Sequence, residues 1–181
     1  MTNILNLCCG NDFYGNYRLD IYKTKATTHV ADLEKGLPMF KNNFFTQVTI
    51  KCGLEHIKNI GLLADEIYRV LRPGGRLYIR TDYAGYLPLY LFASHEHNKA
   101  LEVQYTKGTG YGHKKGKQKT AEIEDAHYHL FIESHLTKLF KKFRIRVYTY
   151  IPGGRNWLIM AILKLLPRHL GMVHIELEAI K

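Results

Sequence analysis

Small and acidic side chains follow three short predicted strands near the start of the chain. The first strand, residues 3–8, runs into Cys8-Cys9-Gly10-Asn11, the second ends near Asp20, and the third ends at Asp32. Gly10 would let the backbone approach a bound molecule without a Cβ clash, Asp20 could accept hydrogen bonds from a ribose diol, and Asp32 could accept one from an exocyclic amine. None of these residues is specific alone, because an aspartate at a strand end is commonly a turn former or a helix cap.

Alternating strands and helices are needed to bring these groups together. A fourth strand is predicted within Phe44–Cys52, and a helix over 59–71 ends at Pro73-Gly74-Gly75. Further strands are expected at 76–81, 144–150 and 174–180, with helices at 136–143 and 157–166. This pattern predicts an α/β fold, in which ligands bind beyond the carboxyl ends of the strands. We expect one domain over 1–181, with an insertion or lid at roughly 83–130.

Composition and charge narrow the class of protein. The chain has 181 residues, 46% of them apolar, and no apolar run long enough to span a bilayer, so we expect a cytoplasmic globular protein. Its three cysteines lack the spacing of a disulfide framework or a structural zinc site. The net charge of +10 comes mainly from residues 107–119 and 138–181. An uneven basic surface of this kind can attract an anionic partner.

Several motifs occur in order with short gaps. They read Ile4-Leu5-Asn6-Leu7-Cys8-Cys9-Gly10-Asn11, Leu19-Asp20-Ile21, Ala31-Asp32-Leu33, Leu54-Glu55-His56-Ile57 and Glu66-Ile67-Tyr68-Arg69-Val70-Leu71-Arg72-Pro73-Gly74-Gly75. This series resembles the class I S-adenosylmethionine-dependent methyltransferases, in particular their small type-11-like branch. The resemblance is close over residues 3–82 and looser beyond them.

The resemblance implies a three-layer Rossmann-like sandwich. Its seven-stranded sheet is mostly parallel with one antiparallel strand, and little or no helix follows the first strand. It also implies S-adenosyl-L-methionine as the cofactor. By position, the cofactor-binding residues would be Cys8, Cys9, Gly10, Asn11, Asp20, Asp32, Leu33, Lys51, Cys52 and Leu54. The implied strand order makes the first and fourth strands neighbours, so Cys8 or Cys9 should lie near Cys52.

The sequence departs from the family pattern at three positions. Cys8 replaces the first glycine, Asn6 replaces a frequent acidic residue, and Thr46 replaces an aspartate. A homologue that keeps the fold without catalysis is therefore an alternative.

Methyl transfer needs little acid–base help, because an in-line nucleophile meets an already activated methyl group. If the nucleophile is a hydroxyl, a general base would assist. The candidates by position are Glu55, His56, Tyr83 and His129, together with Asp82.

The methyl acceptor is expected to be a small molecule, a sugar or a lipid-linked intermediate. A nucleic-acid methyltransferase is the alternative, with a footprint on Lys107, Lys114, Lys115, Lys117 and Lys119. His95 and His97, or His127 and His129, suggest a metal site only weakly, so none is predicted. The apolar helix at 157–166 could lie on a membrane surface, form a homodimer interface or pack on the sheet.

Overall fold

A computed structural model describes residues 2–84, 128–152 and 172–181, with the isolated positions 161, 165 and 167. Most of the predicted lid at 83–130 and of the helix at 157–166 lies outside the described residues. The same holds for the five lysines between 107 and 119, and for His95, His97 and His127.

Seven strands form a single sheet. They are β1 (Ile4–Leu7), β2 (Tyr17–Asp20), β3 (His29–Val30), β4 (Phe45–Lys51), β5 (Leu71–Asp82), β6 (Arg144–Pro152) and β7 (Met172–Ile180). Their order is β3-β2-β1-β4-β5-β7-β6. Strands β1 to β5 pair in parallel, and β7 runs antiparallel to both of its neighbours. The predicted mostly parallel sheet with one antiparallel strand is confirmed.

The chain changes direction across the sheet between β1 and β4. From β1 it moves outward to β2 and β3, then returns to β4 on the other side of β1. Residues 8–16 link β1 to β2 without a helix, as predicted. Such a reversal of strand order leaves a crevice beyond the carboxyl ends of the two strands.

The helix α1 (Ile60–Val70) supports the centre of the sheet. Its first turn is capped by Asn59, whose Oδ1 accepts a hydrogen bond from the Leu62 amide (3.2 Å), and Leu63, Ile67 and Val70 are buried. At its end the Arg69 guanidinium donates to Glu66 and to two backbone carbonyls of residues 37–40. The helix is therefore tied to the loop that precedes β4.

The Pro73-Gly74-Gly75 segment forms a tight turn within the first residues of β5. β5 pairs with Phe45 through Leu71, and regular pairing resumes only at Arg76. Gly74 has φ +75°, a left-handed conformation that favours glycine. A Cβ on Gly75 would lie 2.8 Å from the Arg72 carbonyl oxygen. The segment is structural, in agreement with the sequence analysis.

The two faces of the sheet differ in polarity. One face presents buried apolar side chains, including Leu5, Ile50 and Leu177, to α1 and to α2 (Glu133–Leu139). On the other face Gln47 and Lys51 of β4 alternate with core residues, and β5 and β7 continue this pattern with Arg76, Tyr78, Arg80, Glu176 and Glu178. Parallel sheets are usually covered on both faces. Within the described residues, both helices belong to the apolar side.

Among the described residues, no helix has the length and apolar character needed to span a membrane.

Candidate functional site

The loops that follow β1, β2 and β4 meet at the crevice where the strand order reverses. Cys8–Asn11 follow β1, Asp20 ends β2, and Lys51–Leu54 end and follow β4. β1 is hydrogen-bonded to β2 on one side and to β4 on the other. The structure therefore gathers three of the four predicted cofactor-binding clusters at one sheet edge.

Gly10 and Asp20 form the centre of this edge. The Gly10 amide donates to Asp20 Oδ2 (2.8 Å), and the Tyr22 amide donates to Asp20 Oδ1 (3.0 Å). Gly10 has φ +50°, and a Cβ added there would meet nothing within 4 Å. The carboxylate is thus oriented by one backbone donor on each oxygen, each of which keeps a lone pair for a ligand hydroxyl. Open space lies beside Gly10.

Two threonines connect the loops after β1 and β2. Thr24 Oγ1 donates to the Gly10 carbonyl (2.5 Å), and Thr27 Oγ1 donates to the Tyr22 carbonyl (3.1 Å). The Cys9 amide donates to the Leu19 carbonyl (3.1 Å) and extends the pairing of β1 with β2. These bonds hold Gly10 and Asp20 in a fixed relation.

Cys8 occupies a backbone conformation that suits glycine. Its φ is +52°, in the left-handed region that costs about 1–2 kcal/mol for a residue with a Cβ. Its side chain fills the space that Gly53 leaves, because a Cβ on Gly53 would lie 2.7 Å from Cys8 Sγ. Cys8 therefore lies beside the segment that contains Cys52, as predicted. Position 8 is where the resembling family has its first glycine.

Burial keeps the thiols of this edge protonated. It raises the pKa of Cys8 well above its ordinary value, and the carboxylates of Asp20 and Glu55 raise it further. Cys52 is exposed as a whole residue, but partial desolvation of its thiol raises the pKa to about 11, and Glu55 and Asp82 add to that shift. Cys9 is buried, with its Sγ 3.9 Å from Thr27 Oγ1, and burial raises its pKa as well.

Asp12 supplies an acidic group that the sequence analysis missed. Its Oδ1 accepts from the Tyr14 amide (2.9 Å), and its Oδ2 lies 3.4 Å from both Asn6 Nδ2 and Lys51 Nζ. The Tyr14 bond lowers the pKa of Asp12, and Lys51 and Asn6 lower it further. Asn6 itself is buried and accepts from Thr49 Oγ1 (3.0 Å). A carboxylate thus lies against Asn6, although the acid expected at position 6 is absent.

Three predicted cofactor residues have structural contacts of their own. Asp32 Oδ1 caps the short turn Leu33–Lys35 by accepting from the Glu34 amide (3.0 Å). The side chains of Leu33 and Leu54 are 5% and 0% exposed and belong to the core. A ligand could therefore reach these two leucines mainly through their backbone.

Exposed apolar side chains follow Gly10 and Asp20 in the loops after β1 and β2. Phe13 is 64% exposed in the loop after β1, while Ile21 and Tyr22 follow Asp20 with 45% and 37% exposure. Single apolar residues in loops carry no distinctive signal in the sequence, so these three were not predicted.

The predicted catalytic residues lie together near the ends of β4 and β5. Glu55 is 1% exposed and accepts from Thr81 Oγ1 (2.8 Å), and its carbonyl accepts from the amides of Tyr128 and His129. His56 belongs to the same short turn, Leu54–His56, and His129 Nε2 is 3.4 Å from the Lys58 carbonyl. Tyr83 is buried and pairs with Phe131 in an isolated bridge. Their catalytic roles stay predictions.

A histidine–carboxylate pair at the same edge was not predicted. Asp82 and His174 are register partners on β5 and β7, and His174 Nε2 lies 3.4 Å from Asp82 Oδ1. Burial lowers the pKa of His174 below 6.5, against the opposing effect of Asp82. His174 is therefore mainly neutral at pH 7. Its nitrogen could accept a proton there.

Within the described ranges, no group of three or more His, Cys, Asp and Glu side chains is arranged to hold a metal ion. The histidines at 95, 97 and 127 lie outside those ranges.

Comparison with known proteins gives one family and one fold. Residues 11–79 match a family described as a methyltransferase domain. The demethylmenaquinone methyltransferase of Listeria monocytogenes serotype 4a (strain HCC23) is 32% identical over 102 residues, which are 42% of this chain and 43% of that protein. The match thus spans less than half the length of this curated relative.

Solved structures share the fold over nearly the whole chain. A methyltransferase from Archaeoglobus fulgidus, described as dependent on S-adenosylmethionine, has a TM-score of 0.65 at 13% identity and covers 99% of this chain and 86% of its own. Phosphoethanolamine N-methyltransferase 2 of Haemonchus contortus, in complex with S-adenosyl-L-methionine, has a TM-score of 0.56 at 15% identity, with 99% and 48% covered. At these identities the likeness shows the fold alone.

Proposed function

We propose that the chain is a class I S-adenosylmethionine-dependent methyltransferase and that it methylates a small molecule; the methyltransferase domain matched over residues 11–79 and the fold support this. The predicted fold class is confirmed by the solved structures, and the matched methyltransferase domain supports the predicted family. The family and a neighbour that contains S-adenosyl-L-methionine also support the predicted cofactor.

The observation that carries the proposal is the Gly10–Asp20 pair at the crevice between β1 and β4. An aspartate that keeps a lone pair on each oxygen suits the two hydroxyls of a ribose. The open space at Gly10 lets the ligand lie against the backbone. The residues present therefore fit the ribose of the cofactor.

The other parts of the cofactor would extend from this ribose in two directions. The exposed side chain of Ile21 offers an apolar surface for the adenine next to Asp20, with Asp32 as an acceptor near its amine. The methionine end would lie toward Cys8, Cys9, Asn11 and Lys51–Leu54, where the Asp12 carboxylate lies 3.4 Å from both the Asn6 amide nitrogen and Lys51 Nζ. These assignments extend the predicted site by Ile21 and Asp12.

The bound cofactor supplies an electrophilic methyl group on its sulfonium. The chain's own residues then have to orient the acceptor in line with that group and exclude water. His174, His56 and His129 are partly exposed near the ends of β4 and β5, so they are the better placed to take a proton from an acceptor. The buried Glu55 carboxylate, bonded to Thr81, would act mainly by positioning this turn.

A small-molecule acceptor is favoured by the similarity to a demethylmenaquinone methyltransferase. Nucleic-acid methylation would rely on the lysines between 107 and 119, which lie outside the described residues. The described part of the chain offers no observation that favours it.

Titration calorimetry tests the cofactor assignment. We expect wild type to bind S-adenosylmethionine and its demethylated product, and Asp20→Ala to bind both about 10- to 100-fold more weakly, because two charged hydrogen bonds are lost. Asp65→Ala is the matched control, since Asp65 is an exposed acid on α1, paired only with Lys142 among the described residues. Equal binding by Asp20→Ala and wild type would contradict the site.

The acceptor class is tested with a methyl-labelled cofactor and fractionated cell extract. We expect the labelled methyl group in the small-molecule fraction, and no labelled material that nuclease digests. Label in RNA or DNA would support the alternative. Cofactor binding without transfer to any fraction would indicate a homologue that has lost catalysis.

A further inference from the structure

A groove of about 400 Å³ lies on the polar face of the sheet. Side chains from four strands and from the loop after β1 line it, among them Tyr14, Gln47, Arg76, Tyr78, Arg146 and Glu178. Its volume is within the range of small-molecule sites, about 300–1,000 Å³. The groove is separate from the Gly10–Asp20 pair, which contributes nothing to its lining.

Part of the charge in the groove is already neutralised. Arg80 Nε donates to Glu176 Oε1 (2.7 Å), and the Tyr78 hydroxyl donates to the same oxygen. Lys51 lies 3.4 Å from Asp12 and over the Tyr14 ring at 5.1 Å. These side chains are therefore held by contacts within the lining of the groove.

Arg76 and Arg146 are different, because neither guanidinium has a hydrogen-bond or ion-pair partner in the described part of the chain. Both side chains are exposed. β7 separates their strands, so their backbones are two strand spacings, about 10 Å, apart. Two arginine side chains can close that distance around one oxyanion, to which each can donate two parallel hydrogen bonds.

A β-bulge contributes to the position of Arg146. The pairing of β6 with β7 shifts between Ile145 and Val147, so that Arg146 is the extra residue. Bulges of this kind redirect a side chain and occur often beside functional sites. The bulge is consistent with Arg146 lining the groove together with Arg76.

The rest of the lining suits hydroxyl groups. Gln47 Nε2 donates to the Tyr14 hydroxyl (2.8 Å), which leaves the Gln47 carbonyl oxygen and the second amide hydrogen for a ligand. The Glu178 carboxylate lines the groove without a partner among the described residues and can accept from a hydroxyl. A carboxylate here also disfavours a ligand that carries only negative charge.

We propose that this groove binds a sugar phosphate. Arg76 and Arg146 hold the phosphate, while Gln47, Tyr14 and Glu178 bond the sugar hydroxyls. The site is an addition to the proposed methyl transfer and does not depend on it. It adjoins the cofactor edge through the loop that contains Asp12 and Tyr14, because Asp12 joins the Tyr14 amide to Lys51.

Titration calorimetry with glucose 6-phosphate tests the proposal. We expect wild type to bind it and to bind glucose and inorganic phosphate each at least tenfold more weakly. Arg76→Gln and Arg146→Gln should each weaken glucose 6-phosphate binding about tenfold or more, since each removes charged hydrogen bonds. Arg72→Gln is the matched control. It removes the same charge from an exposed position on the same strand, outside the groove, and should change the affinity less than twofold.

Binding of S-adenosylhomocysteine by each variant serves as the folding check and separates this proposal from the methyltransferase assignment. The groove proposal is wrong if glucose 6-phosphate does not bind, or if Arg72→Gln weakens binding as much as Arg76→Gln. It is also wrong if inorganic phosphate binds equally well. The remaining outcome is that a single-stranded oligonucleotide binds more tightly than glucose 6-phosphate and loses its binding in Arg76→Gln and Arg146→Gln. That result would contradict the sugar phosphate and identify the groove as a nucleic-acid site.

Discussion

At the scale of single residues, the structure shows how the chain accommodates its departures from the family pattern. Cys8 takes the left-handed conformation at the position of the family's first glycine, and its side chain fits over Gly53. Asn6 lacks the expected charge, but Asp12 places a carboxylate beside it. The local geometry of the site is thus preserved by other means, at the cost of strain at Cys8.

The cysteines lead to a reactivity prediction. At pH 7.5 the exposed Cys52 should react with a disulfide reagent about tenfold more slowly than a free thiol, because its pKa of about 11 lowers the thiolate fraction more than it raises the nucleophilicity. Mass spectrometry of the modified protein gives the rate, and Cys52→Ser confirms the assignment. A rate equal to that of glutathione would contradict the raised pKa.

Residues of this site could be predicted only where the signal is local. Gly10 and Asp20 stand at strand ends within a short segment, so the sequence alone suggested them. The pairing of Asp82 with His174 joins residues from two distant segments and depends on the antiparallel register of β7. Asp12 was missed because an acid in a polar loop is usually a turn former.

At the scale of elements, periodicity predicted most strands and the positions of both described helices, although α2 runs over Glu133–Leu139 and not over 136–143. The helix predicted over 59–71 is α1, and the alternation at 76–81 and 174–180 matches β5 and β7. The third strand is shorter than predicted, His29–Val30, because Asp32 already caps the next turn. The same alternation reflects the polar face of the sheet, because every second residue of β5 from Arg76 to Arg80 is an arginine or a tyrosine.

Two glycines, one in α1 and one near the start of β5, should respond oppositely to alanine. Gly75→Ala should lower the free energy of unfolding by about 1–3 kcal/mol, because the new Cβ would lie 2.8 Å from a backbone oxygen. Gly61→Ala should raise it by about 0.5–1 kcal/mol, since Gly61 is exposed in the first turn of α1 with open space around it. Urea unfolding of both variants measures the difference. Equal effects would contradict the described turn.

At the scale of the whole molecule, one apolar core joins the parallel and antiparallel halves of the sheet. Leu5, Ile50 and Leu177 belong to the same buried cluster as α1 and α2. The family resemblance predicted a seven-stranded, mostly parallel sheet with β1 next to β4, which composition and periodicity could not have done. That the chain forms a single domain, and its oligomeric state, stay predictions.

Global stability should fall on acidification through the titration of His174. Because burial lowers its pKa in the folded state below 6.5, the unfolded chain takes up this proton first as the pH falls. The free energy of unfolding therefore decreases as the pH drops from 6.5 to the lower folded-state pKa. His174→Gln should lose less stability over this window, as measured by urea midpoints at pH 7.5 and pH 5. Identical losses in both proteins would assign the effect to other groups.

The place of β7 between β5 and β6 has a consequence for biosynthesis. β6 leaves the ribosome before β7, and in the finished sheet its pairing is with β7. Until residues 172–180 emerge, a nascent chain exposes the pairing edges of both β5 and β6, which are the kind of edges that recruit other strands. Completion of the sheet is therefore expected to be a late step in folding. Chaperones that shield strand edges should raise the yield of folded protein mainly by acting on the nascent chain before β7 has left the ribosome.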